Sequence, residues 1–120
     1  MREIKFRAWD KTNKSMCFFD LNVCNQESMD WWTNEVQGNH IMQYIGLKDK
    51  YETAIYEGDI IKQTISDFHN TFIVVGEIIY SRDSFLLNDI KNETLHTIMS
   101  HCEVIGNIYE NIELLGKTNE

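Results

Sequence analysis

The chain has 120 residues, 42% hydrophobic and 12% aromatic, enough for one globular domain that buries roughly two-thirds of its unfolded surface. Its formal charge is −8 with a pI near 4.9, which argues against wholesale binding to phosphate backbones, an activity that needs clustered Lys and Arg. Three Trp, five Tyr and six Phe, with no proline, exclude a disordered composition, and the apolar stretch at residues 72–75 is far shorter than the ~20 residues that cross a bilayer.

Residues 2–10 alternate from the start: Ile4, Phe6 and Ala8 fall on one face, Lys5, Arg7 and Trp9 on the other, the period of two that a half-buried strand requires. Residues 10–14, Asp-Lys-Thr-Asn-Lys, read as a polar turn with Asn13 as the left-handed residue. Residues 16–23 return as a second strand, so 1–24 form a hairpin. Residues 25–39, around Trp31 and Trp32, show no clean period and read as a loop or one helical turn. Strands are predicted at 40–45 and 59–65, joined by a long connection. Residues 71–80 carry apolar side chains on both faces, which marks a central strand, and Gly76 in its middle predicts a bulge or sharp bend. Residues 81–100 fit a helix about as well as a broken hairpin. Residues 102–109 read as a strand bent at Gly106, and Asn111 is placed to cap a last short helix through Leu115.

The motif Gly, polar residue, Ile recurs at Gly58-Asp59-Ile60, Gly76-Glu77-Ile78 and Gly106-Asn107-Ile108, at unequal intervals of 18 and 30 residues. It reads as one device used three times, a glycine that lets a strand bend before the isoleucine returns to the core. Steeply bent antiparallel strands close on themselves. The expected architecture is therefore mainly β, a small antiparallel barrel or roll. It is one domain over 1–120, with the hairpin at 1–24 as an extension, the barrel core at 40–116, and one or two short helices.

Residues with chemical potential are few. Cys17, Cys24 and Cys102 are an odd number, which fits reduced thiols in a cytoplasmic protein. With His40, His96 and His101 they form no C-x2-C or H-x3-H unit, and neighbours His101 and Cys102 point to opposite faces of a strand, so no metal or other cofactor is expected. Glu57 and Asp59 share a face as paired carboxylates would, but an Asp after Gly at a strand entrance is explained by bonds to nearby backbone amides. No catalytic residue is assigned.

Charge is unevenly placed. Residues 1–14 hold five basic residues and two acids, a net of +3, so the other 106 carry −11. Lys5, Arg7 and Trp9 thus combine two cations and an indole on one strand face, the composition with which small barrels hold single-stranded nucleic acid. Cations paired with surrounding acids over a packed Trp9 explain the same residues.

The blocks EIKFRAWDK at 3–11, QYIGLKDK at 43–50 with IYEGDII at 55–61, and VIGNIYEN at 104–111 resemble the motifs of the YopX-like proteins of bacteriophages and prophages, in order and from end to end. The resemblance implies an SH3-like barrel or roll, a phage or prophage origin and expression inside a bacterial host cell. It implies no biochemical function. Where relatives carry an Asn-Gly turn after Lys-Asp-Lys, this chain has Tyr51-Glu52-Thr53, so a longer connection is expected in place of a two-residue turn. Where relatives place Pro in the final block, this chain has Ile112, which weakens the case for a terminal helix. The expected function is a non-enzymatic protein-interaction module that binds a host or phage protein, or a second copy of itself, with no membrane partner. The alternative is nucleic-acid binding through Lys5, Arg7 and Trp9.

Overall fold

A computed structural model of the protein describes residues 3–11, 13–20, 41–66, 69–99 and 101–116. The expectations for Cys24, the 25–39 stretch and His40 lie outside the described residues. Among the described residues, nine strands run in chain order: β1 Lys5–Asp10, β2 Ser15–Asp20, β3 Ile41–Lys48, β4 Ala54–Tyr56, β5 Asp59–Ser66, β6 Thr71–Ser81, β7 Ser84–Asp89, β8 Thr94–His96 and β9 Glu103–Asn107, followed by a 3-10 turn at Ile112–Leu115. They form two antiparallel sheets, ordered β2-β1-β3-β4 and β8-β7-β6-β5-β9, one of them a half-barrel.

The first hairpin pairs Lys5 with Asp20 through to Asp10 with Ser15. Its turn differs from expectation. The left-handed residue is Lys14, at φ 53, because Asn13 is occupied: its backbone N–H and side-chain amide donate to the two carboxylate oxygens of Asp10 at 3.2 and 2.8 Å. Within the ambiguous stretch, residues 81–96 form a pair of hairpins, and the chain reverses from β6 to β7 through Arg82 and Asp83, at φ 52 and 67. Two successive positive φ values make the twist of a primed hairpin turn, which joins adjacent strands without splaying them. The stretch 46–58, expected as one long connection, holds the end of β3 and all of β4, and the link between these strands, residues 49–53, is longer than a two-residue turn. Asp49 Oδ1 accepts the N–H of Tyr51 at 2.8 Å and of Thr53 at 2.9 Å, so a carboxylate organises what an Asn-Gly pair would otherwise set.

The three glycine motifs are not one device. Gly58 has φ 84 and makes a true turn between β4 and β5. Gly76 is neither turn nor bulge: β5 and β6 stay in unbroken register from Ile60 opposite Glu77 to Ser66 opposite Thr71. Its role is close approach, since a Cβ there would collide with the carbonyl oxygen of Asn88. Gly106 sits beside a register shift, with Ile60 opposite Gly106 but Ile61 opposite Val104, and leaves room for the Asn111 side chain. A further shift lies between β3 and β4, where Gly46 has φ 88. Asn111 does not cap the last turn with its side chain; its Oδ1 accepts the Asn107 N–H at 3.2 Å.

β6 is central in the five-stranded sheet, as its apolar faces predicted. One face of that sheet contributes Ile61, Val74, Ile78 and Leu87 to a cluster completed by Ile45, Ile55 and Cys102. Burying side chains of this size contributes about 1.5–3 kcal/mol each. Gln63 enters this interior almost fully buried. It is satisfied at both ends, donating to the Thr97 carbonyl at 2.9 Å and accepting from the Met99 N–H at 3.1 Å.

Candidate functional site

β1 lies between β2 and β3, and its side chains Lys5, Arg7 and Trp9 each meet a different partner. Arg7 is not on the surface; it is 5% exposed. Its Nη2 lies 2.7 Å from Oδ1 of Asp59 and donates to the Glu57 carbonyl at 3.1 Å. The guanidinium also stands 4.8 Å from the centre of the Tyr56 ring, within cation–π range. Its Nε has no hydrogen-bond partner among the described residues.

Asp59 reaches this position because Gly58 turns the chain between β4 and β5. Its other oxygen accepts the Tyr56 N–H at 2.8 Å, which is the turn chemistry expected of an Asp after Gly. Burial raises the Asp59 carboxyl above its ordinary value, opposed by the Arg7 charge and the Tyr56 amide. The Tyr56 phenol is likewise raised by burial, with Lys5 and Arg7 pulling the other way. Glu57 accepts the Gln43 N–H through Oε1 at 2.9 Å, so the two carboxylates have separate partners.

Lys5 pairs with Glu3 at 2.7 Å and lies 5.7 Å from the centre of the Tyr44 ring. Trp9 stacks on Tyr109, centroids 5.4 Å apart and planes 11° from parallel. The strand thus bridges a buried ion pair and a capped indole.

Asp49 also faces inward. In addition to Tyr51 and Thr53 it accepts the Val104 N–H at 2.9 Å, fastening the β3–β4 connection to β9. Burial pushes its carboxyl up, but the donors from Val104, Thr53 and Tyr51 outweigh this and hold it below the ordinary value. Alternation did not find this residue. The available signal was local, an Asp closing a strand with a Thr four residues on.

Cys102 is fully buried, and its thiol is raised by burial and by the nearby Asp49 charge, the opposite of what a reactive thiolate needs. His101 Nε2–H donates to the Thr64 carbonyl at 2.9 Å. No group of three or more His, Cys, Asp or Glu among the described residues is arranged to hold a metal ion.

Among the described residues, clefts open at two places on the surface. One, of 390 Å³, lies beside the 3-10 turn and is lined by Ile73, Val75, Asp89, Lys91, Leu114 and Leu115 among others. The second, of 290 Å³, lies where the sheets meet and is lined by Gln43, Glu57, Tyr80 and Phe85. Backbone bonds hold it: Glu57 N–H donates to the Gln43 carbonyl and Gly58 N–H to that of Ile78, both at 2.9 Å. Sequence reading singled out Glu57 alone of these four, because the others come from strands far apart in the chain.

Comparison with known proteins supplies the lineage. The model of the YopX protein family matches residues 5–116, nearly the whole chain. The chain belongs to the YopX family. Among solved structures, this YopX chain is similar to the crystal structure of protein EF1440 from Enterococcus faecalis, with 27% identity, a TM-score of 0.57, and coverage of 93% of this chain and 97% of that one. No curated protein matches it. The YopX family has no known catalytic role. No helix among the described residues is long and apolar enough to cross a membrane.

Proposed function

We propose that this YopX chain is a non-enzymatic interaction module, an SH3-like roll of phage or prophage origin that binds a protein partner in the cytoplasm of a bacterial host. One observation carries the reading: groups with chemical potential are turned inward while large apolar side chains on regular strands are turned out. Arg7, Asp49, Asp59 and Gln63 are buried in structural bonds. Phe18 on β2, Ile73 on β6 and Tyr80 on β6 are 65%, 61% and 56% exposed. Aromatic side chains held on rigid strands suit partner recognition, since they bury much area at low cost in conformational entropy. The charge of −8 favours a basic partner.

The nucleic-acid reading has less support, because its central cation, Arg7, is in the interior beside Asp59. Gel shifts at low salt on single- and double-stranded DNA and RNA are expected to be blank.

The interaction reading is tested by tagging the full chain in bacterial cells and quantifying what co-purifies, with sedimentation of the pure protein alongside. A stoichiometric partner, or a second copy, that is lost in Phe18→Ser or Ile73→Ser is the expected result. A monomer that captures nothing at stoichiometric level overturns the reading.

A further inference from the structure

The cleft between the sheets combines two rings with polar groups that the fold does not use. Tyr80 and Phe85 are cross-strand partners whose rings meet edge to face at 5.1 Å. Glu57 uses Oε1 for the Gln43 N–H. Its Oε2, the side-chain amide of Gln43 and the Tyr80 hydroxyl have no hydrogen-bond partner among the described residues. Among the described residues, no Lys or Arg lines the cleft.

We propose that this cleft receives the guanidinium of an arginine side chain presented by a partner protein, an inference that rests on the interaction reading above and names the partner's chemistry. The lining offers one carboxylate oxygen, one amide oxygen, one phenol oxygen and exposed ring surface. A planar cation with five donors that also stacks on rings satisfies all of them together. An ammonium is a compact, strongly hydrated point charge that matches the ring surface less well. An anion would face Glu57. The volume of 290 Å³ accommodates a side chain and not a folded element, so the arginine enters from a partner surface.

The test is a titration of the 15N-labelled full chain with acetyl-Gly-Arg-Gly-amide, followed by amide chemical shifts, with the citrulline and lysine versions alongside. Saturating shifts at Gln43, Glu57, Tyr80 and Phe85 are expected at ligand concentrations on the order of millimolar, typical of a single side chain. The citrulline peptide, of equal shape but neutral, is expected to bind at least about tenfold more weakly, and the lysine peptide in between. Glu57→Gln retains an oxygen for the Gln43 N–H and is expected to weaken arginine binding about tenfold. Tyr80→Ala is expected to weaken it about three- to tenfold. Absence of saturation, equal binding of citrulline or lysine, or unchanged binding in Glu57→Gln overturns the proposal. A protein captured equally by wild type and Tyr80→Ala also overturns the cleft while leaving the interaction reading intact; capture of no partner removes that reading instead.

Discussion

The two sheets are held by different chemistry. The core cluster of the five-stranded sheet draws hydrocarbon from it, Ile61, Val74, Ile78 and Leu87, beside the satisfied side chain of Gln63. Where the four-stranded sheet meets the start of β5, the buried contact is an ion pair, Arg7 with Asp59, roofed by Tyr56, which itself contacts Tyr44 and Phe18. Hydrocarbon contacts tolerate sliding, because any apolar neighbour of similar volume serves. A buried charge tolerates none, since displacement leaves it unpaired in a low-dielectric site. Hydrocarbon burial thus fills the interior of one sheet, and the ion pair fixes how the other is aligned with it.

Breaking the ion pair from one side is expected to have the largest effect. Arg7→Ala strands the Asp59 carboxylate and should cost about 3–5 kcal/mol in urea unfolding. The double variant Arg7→Met with Asp59→Leu should recover most of that loss; if it does not, the pair contributes more than mutual compensation. Gly76→Ala probes the hydrocarbon sheet. Its methyl group would meet the Asn88 carbonyl, a backbone atom, and should cost about 2–3 kcal/mol, visible as a lowered urea midpoint.

Asp49→Asn should cost about 1–2 kcal/mol at neutral pH by weakening bonds to three backbone amides. Because the folded Asp49 carboxyl lies below its ordinary 3.8, its contribution is present above that value and is lost as pH falls through the folded one. Wild type and variant should therefore converge on acidification. Asp59 has the opposite sign: raised by burial above 3.8, it contributes most below that value and less as pH rises through its folded one. Unfolding curves in steps across the acid range check the convergence. The smallest change is expected for Phe18→Ser, 65% exposed on β2 but edge to face with Tyr56, about 0.5–1 kcal/mol. That variant separates recognition from folding.

Strand positions were legible where side-chain period is local. β1, β5 and β6 follow from alternation or from apolar runs in their own residues. Alternation puts Arg7 on one face with Lys5 and Trp9 but does not say what covers that face; Asp59, 52 residues away, is what draws Arg7 into the interior. The glycines failed for the same reason. Gly58 acts through its own φ, whereas the role of Gly76 depends on Asn88, which arrives only when β7 pairs. The 81–100 stretch was ambiguous because Arg82 and Asp83 are not the Asn-Gly signature of their turn. In the cleft, Glu57 was noticed as a carboxylate, but Gln43, Tyr80 and Phe85 carry no local mark of a shared location.

Gln63 has a consequence for motion. Residues 97–99 belong to no strand, yet one glutamine imitates the edge of a neighbouring strand for them, taking the Met99 amide hydrogen and answering the Thr97 oxygen. Slow deuterium uptake at Met99 is the signature of that imitation, and Gln63→Leu should release it while leaving the β5–β6 ladder slow. A single core side chain thereby decides whether an irregular segment breathes with the solvent or with the sheet.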